Sequence, residues 1–196
     1  MTAPRPIPRP VPRATRPRAT SPRPGQRTVD RAAMLRVDQA GEYGAVRIYA
    51  GQLAVLGDRH PISREISHMA AQEERHRAHF DAMIAARGGR PTLLQPVWHV
   101  AGFALGAATA LLGPEAAMAC TAAIETEIDA HYGRQLEELG TDDPELSTAI
   151  ADFQAEEVEH REAALKAGAE NAPAYPLLSG LIRLGCRAAI AISEKI

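Results

Sequence analysis

Between Val29 and Leu56 the apolar positions recur at helical spacing. Glu42, Val46, Tyr49, Leu53 and Leu56 are separated by alternating steps of four and three residues, one stripe with a glutamate among apolar side chains. Gly57 ends that helix. A second stripe, Ile66, Met69, Glu73, His76, Phe80 and Met83, belongs to a helix that opens near Pro61 and stops at Gly88-Gly89. A third, Met118, Thr121, Glu125, Tyr132, Leu136 and Leu139, starts at Pro114-Glu115 and ends near Gly140. Asp143-Pro144-Glu145 reads as a helix start for a fourth, whose stripe is Ile150, Phe153, Glu157, His160 and Ala164 and which runs to about Gly168. Four long amphipathic helices predict an all-α fold built on a four-helix bundle.

Two further segments are apolar in a different way. Residues 93–112 carry no charged side chain, but Gln95, Pro96 and His99 cut the continuous apolar part to about thirteen, short of the ~20 that a bilayer span needs. The segment reads equally as a connector helix buried in the fold and as a helix lying in a membrane interface. Pro176 to Ile196 is amphipathic, with Arg183, Arg187 and Lys195 as its basic residues, and could pack on the bundle, lie on a membrane, or both.

Composition changes the picture at the N-terminus. Residues 1–27 alternate proline with arginine and include seven arginines and no acid, which predicts a disordered basic tail ahead of a domain at 28–196. The tail lacks the apolar run of a signal peptide, and its prolines spoil the amphipathic helix of a transit peptide. The rest of the chain then holds 15 of the 22 basic and all 24 acidic residues, a balance of −9. An acidic domain of this kind does not suit nucleic acid. Aromatics at 4% and abundant alanine favour helix over sheet. Cys120 and Cys186 are too few for a disulfide framework, fit a reducing compartment and read as small core residues.

The chain also repeats itself. Glu42, Tyr49, Gln52 and Leu53 match Glu125, Tyr132, Gln135 and Leu136 at the same offsets of 7, 10 and 11. A glutamate and a histidine three residues apart then follow at 31 residues (Glu73, His76) and at 32 residues (Glu157, His160). Two similar helical hairpins in approximate two-fold symmetry would bring four glutamates and two histidines into one core. Unpaired buried carboxylates cost several kcal/mol each, and no arginine lies on those stripes to compensate. Two divalent metals would, and this ligand set is that of a carboxylate-bridged dinuclear centre suited to iron or manganese. Glu65 and His68 form another such pair, but 23 residues from Glu42 they fall about 12 Å further along. Asp38, Asp129 and Glu156 are candidates for accepting a hydrogen bond from a ligand histidine and so fixing its tautomer, with solvent exposure equally compatible. Tyr49 and Tyr132 read as core-edge packing, with facing the metals as the lesser alternative, and His60, His79, His99 and His131 as surface or local hydrogen-bonding residues.

Several runs resemble the demethoxyubiquinone hydroxylase family: Arg36-Val37-Asp38-Gln39-Ala40-Gly41-Glu42-Tyr43-Gly44-Ala45, Trp98 to Gly106, Cys120-Thr121 ahead of Glu125, and Ala172 to Leu178. The resemblance covers about 29–196. Gln39 departs from a frequent histidine, and the basic tail has no counterpart. The resemblance implies a ferritin-like bundle with two extra helices and a di-iron centre on Glu42, Glu73, His76, Glu125, Glu157 and His160. It implies O2-dependent hydroxylation of the ring of 2-polyprenyl-3-methyl-6-methoxy-1,4-benzoquinol, with NADH as an electron source and no catalytic residue beyond the ligands. A polyprenyl quinol substrate implies peripheral membrane attachment, on the cytoplasmic face of a bacterial membrane or the matrix side of a mitochondrial one. It further implies self-association and a lipid-binding accessory protein. A rubrerythrin-like peroxidase, a hydroxylase of modified RNA and ferritin-type iron storage would share the six ligands. The absence of a cysteine-rich iron site disfavours the first and the −9 balance the second, while storage requires a many-subunit shell.

Overall fold

The computed structural model describes residues 29–196 as six α-helices and one short 3-10 turn, and contains no strand among the described residues. The basic tail lies outside the described residues. Helix α1 (Arg31–Leu56) begins where the Asp30 side chain accepts a hydrogen bond from the amide of Ala33, filling one of the donors a helix start leaves open. Helix α2 (Ser63–Ala86) returns alongside it. After helix α3 (Gln95–Leu111), Gly113 turns the chain at φ 126, a left-handed value that a side chain would resist, and Pro114 opens helix α4 (Pro114–Leu139). Helix α5 (Pro144–Lys166) repeats the pattern of α1: Asp143 caps it by accepting from Leu146, and Pro144 occupies the first turn. The Ala169–Asn171 turn then leads to helix α6 (Tyr175–Ser193).

Helices α1, α2, α4 and α5 form the bundle, with α1 packed on α2 and α4 on α5, and this is a ferritin-like fold. Its apolar core falls into two clusters. One contains Leu35, Phe80, Leu139, Leu146 and Ile150, and the other contains Tyr49, Ile66, Met69, Met118 and Ala164. On α2 and α5 the Glu-x-x-His pairs lie between the two clusters, so apolar residues close the bundle on either side of them.

The two extra helices lie on the outside, α3 against α1 and α6 against α4. Helix α3 is not the wholly buried connector that residues 93–112 could have formed, because it is buried on one face and open on the other. Gly102, Gly106, Thr109 and Ala110 are buried, whereas Val97, Val100 and Leu111 are exposed. Helix α6 buries only Ile182 and Ser193 fully. It is fastened by Arg183 and Arg187, which donate to the buried Glu127 carboxylate of α4 at 2.6 and 3.0 Å. Leu177, Leu181, Leu184 and Ile192 remain outward. It is the one described helix long and apolar enough to cross a membrane.

Candidate metal centre

Each bundle helix delivers one glutamate to the interior, and α2 and α5 each add a histidine one turn later. Glu42, Glu73, His76, Glu125, Glu157 and His160 all have at most 3% of their surface exposed. They form two interlocked groups whose donor atoms lie within 4.8 Å of one another: Glu42, Glu73, His76 and Glu157, and Glu73, Glu125, Glu157 and His160. Glu73 and Glu157 belong to both. His76 Nδ1 is 3.5 Å from Glu42 and 3.3 Å from Glu157, and His160 Nδ1 is 3.0 Å from Glu73 and 3.4 Å from Glu157.

The hydrogen-bonding pattern distinguishes the shared carboxylates from the others. Both oxygens of Glu73 and of Glu157 lack a hydrogen-bond partner, as does one oxygen each of Glu42 and Glu125 and Nδ1 of each histidine. The remaining oxygen of Glu125 accepts from Tyr49 at 2.7 Å, and that of Glu42 accepts from Tyr132. Each tyrosine therefore crosses from its own hairpin to hold the glutamate of the other. Eight unpartnered polar atoms in one buried cluster would be costly without a ligand. Carboxylate and imidazole are donors suited to iron, manganese or zinc, so these residues fit a pair of divalent metal ions, with Glu73 and Glu157 each offering two free oxygens.

Charge crowding acts on the protons. Burial and then the nearby Glu42 charge raise the Glu73 pKa, and burial with the charges of Glu157 and Glu73 raises that of Glu125 well above the usual carboxylate range. Burial pulls the histidines down, but the carboxylates 3.0–3.8 Å from each Nδ1 favour the protonated ring and outweigh it. With no metal present, His76 is pushed up to about 12 and His160 to about 9. Burial and then the charge of the partner glutamate raise both tyrosines, so Tyr49 and Tyr132 keep their protons and remain donors.

The outer nitrogens of the histidines are also engaged. His76 Nε2 is 3.3 Å from Glu156, and His160 Nε2 is 3.1 Å from the side-chain oxygen of Gln72. Glu156 thus lies where a histidine partner was expected, and Gln72 is one the helical stripes did not single out. Asp38 and Asp129 do not serve the ligand histidines. Asp38 is buried and bonded to His131 and Gln135, and Asp129 is held by Arg161 and Gln154. His131 is buried, and of the two roles expected for it the hydrogen-bonding one holds, through Asp38. Tyr49 and Tyr132 are fully buried hydrogen-bond donors to the site, the lesser of their two expected roles rather than core-edge packing. Glu65 and His68 line a separate surface cleft with Arg64 and Lys166, away from the cluster.

Beside the site an apolar cavity of about 460 Å³ opens between α1, α3, α4 and α6, lined by Ile48, Trp98, Leu105, Ile128, Leu181 and Cys186. Its wall includes Gly41 and Ile124, the chain neighbours of Glu42 and Glu125. This volume is in the range of cavities that hold small organic ligands.

Comparison with known proteins adds the following. The sequence model of a family described as "Ubiquinone biosynthesis protein COQ7" matches residues 30–193. A 3-demethoxyubiquinol 3-hydroxylase of Rhodospirillum rubrum is 59% identical over 162 residues, which is 83% of this chain and 76% of that protein. Mitochondrial proteins named NADPH-dependent 3-demethoxyubiquinone 3-hydroxylase are similar too. The one from Mus musculus is 51% identical over 85% of this chain and 80% of its own length, and the one from Homo sapiens 49% identical over 86% and 80%.

Proposed function

The chain belongs to the COQ7 family of ubiquinone biosynthesis proteins, and from that premise we propose that it hydroxylates the ring of 2-polyprenyl-3-methyl-6-methoxy-1,4-benzoquinol, using O2 at a di-iron centre. It is an enzyme, a hydroxylase, as its relatives are. The observation that carries the di-iron reading is the division of free oxygens: two on each of the glutamates common to both donor groups and one on each of the others. Glu42 and His76 would hold one ion, Glu125 and His160 the other, and Glu73 and Glu157 both. The pair of ions, when bound, would supply the O2 activation and electron transfer that ring hydroxylation requires.

The chain's own side chains do the rest. Tyr49 and Tyr132 pin Glu125 and Glu42 by one oxygen each, leaving the second to face inward. Phe153 stacks on His76 with ring centres 4.1 Å apart, fixing the ring plane and helping to keep water out. The apolar cavity would take the quinol ring and the start of its prenyl tail, its walls offering little to hydrogen-bond because Trp98 already donates to Ser193 at 3.2 Å. A reduced nicotinamide nucleotide is the electron source in this reading. The names of the mouse and human relatives specify NADPH, so NADPH stands beside the NADH expected from sequence.

Residues 28–196 would form the catalytic domain, with 1–27 as a separate basic tail. The exposed apolar faces of α3 and α6 support peripheral attachment to the membrane that contains the substrate, on the cytoplasmic side in a bacterium or the matrix side in a mitochondrion. The same faces would suit self-association and a lipid-binding accessory protein. Purified, iron-loaded protein given demethoxyubiquinol analogue, reduced nicotinamide and O2 should form a product heavier by one oxygen, and 18O2 should label it. Product without label, or turnover undiminished after iron removal, would refute the assignment. For the membrane face, Val100→Asp with Leu184→Asp should weaken liposome binding roughly tenfold or more, since each leucine-sized side chain contributes about 1.5–3 kcal/mol when buried. Unchanged co-sedimentation would refute that part.

A further inference from the structure

The internal repeat pairs residues by position as well as by type. Superposing Glu73 and His76 on Glu157 and His160 sets Gln72 opposite Glu156, each the residue immediately before a shared glutamate. The two side chains meet across the bundle, with Gln72 Nε2 donating to Glu156 Oε2 at 2.6 Å. The same Glu156 oxygen lies 3.0 Å from Arg75 and 3.3 Å from His76 Nε2, while Gln72 Oε1 lies 3.1 Å from His160 Nε2. Each histidine therefore leans on the residue preceding the glutamate of the other hairpin.

This chain of contacts dictates where the protons sit. An ionised carboxylate only accepts, so the amide nitrogen of Gln72 must face Glu156 and its oxygen must face His160. His160 must then donate from Nε2, so that Nδ1, beside Glu73 and Glu157, is the nitrogen that would lose its proton to a metal. His76 must likewise donate from Nε2 to Glu156. One glutamine and one glutamate thus set both imidazole tautomers. They do so unequally, because His76 leans on a carboxylate and His160 on a neutral amide. A carboxylate partner raises the basicity of a ligand imidazole more than an amide does.

We propose that Gln72 and Glu156 are positioning residues forming a strap that presents Nδ1 of both histidines inward and makes the His76 half of the centre the tighter metal position and the His160 half the weaker. This rests on the dinuclear reading above. The asymmetry is set from outside the ligand set, by the single chemical difference between the two repeats at this position.

The test is an anaerobic Co(II) titration of the full chain, read by d–d absorbance. Wild type should take up two ions in separate steps, and His76→Ala should abolish the tighter one, identifying it. Glu156→Gln makes both partners amides and should weaken the first step about 10- to 100-fold, bringing it toward the second. Gln72→Glu should instead tighten the second step. Glu156 is only partly buried, so these changes spare the core, and circular dichroism should show unchanged helix content. Two ions with steps unmoved in Glu156→Gln, or both steps weakened equally, would overturn the strap while leaving the dinuclear centre intact. Wild type binding fewer than two ions would overturn the dinuclear reading and the strap with it.

Discussion

Glu157→Ala is expected to empty the whole centre rather than half of it. Iron content should fall from about two ions per chain, the complement of such a site, to a small fraction of one, with hydroxylation lost in parallel. Glu157 belongs to both donor groups, both its oxygens are unpartnered within the protein, and each histidine has its inner nitrogen within 3.4 Å of it. Removing it takes a donor from each metal position at once and leaves Glu73 alone to bridge two cations. His160 belongs to one group only, so His160→Ala should retain the ion on the His76 side, about one per chain, and still lose turnover. The contrast also appears in stability. A ligand at a hundred times its dissociation constant stabilises a folded protein by about 2.7 kcal/mol. Iron should accordingly raise the melting temperature of wild type by several degrees, raise that of His160→Ala less, and leave Glu157→Ala unmoved. Metal analysis by plasma mass spectrometry alongside a thermal scan checks both. A Glu157→Ala protein that keeps two irons would remove Glu157 from the centre.

The distinction between shared and terminal glutamates was not legible in the sequence. All four glutamates lie on equivalent stripes, and the repeat makes Glu42 equivalent to Glu125 and Glu73 to Glu157 without saying which pair keeps both oxygens free and belongs to both donor groups. That depends on which carboxylate oxygens the tyrosines occupy, a matter of side-chain reach across the bundle. The signal for the tyrosines was nevertheless present, since Tyr49 and Tyr132 repeat at the same offset from the glutamates, and a hydroxyl on an otherwise apolar stripe needs a partner when buried. Gln72 was overlooked because an uncharged residue beside a stripe gives no periodic signal, although aligning the repeats sets it against Glu156. The bundle itself was readable because four periodic segments separated by proline and glycine leave few alternatives. Gln39, which departs from the family's frequent histidine, is wholly buried and donates to Asp81, joining α1 to α2 without touching the centre.

Helix α3 was the segment hardest to place from sequence, because apolar residues surround it and periodicity cannot say which face is inward. Its glycines decide. A Cβ on Gly106 would lie 1.9 Å from the carbonyl oxygen of Ile48, and one on Gly51 would lie 2.2 Å from that of Phe103. A Cβ on Gly102 would come within 3.0 Å of the Gly44 oxygen. The opposing atoms at Gly106 and Gly51 are backbone, which cannot rotate aside as a long side chain can, so α1 and α3 touch main chain to main chain. Gly106→Ala should force the helices apart and destabilise by about 1–3 kcal/mol or more, lowering the melting temperature by roughly 2–4 °C per kcal/mol for a chain of this size. Gly106→Leu should release α3 from the bundle, exposing apolar surface and driving aggregation. Because Gly44, Gly102 and Leu105 line the apolar cavity from both helices, Gly106→Ala should also raise KM for the quinol while leaving bound metal unchanged, which separates it from a ligand variant. The control is Gly180→Ala on α6. A Cβ there meets nothing within 4 Å, and the change should be neutral or stabilising by up to about 1 kcal/mol, because alanine holds a helix better than glycine. If Gly106→Ala melts within a degree of wild type, α3 does not dock on α1 at this distance, and the cavity between them would have to be redrawn.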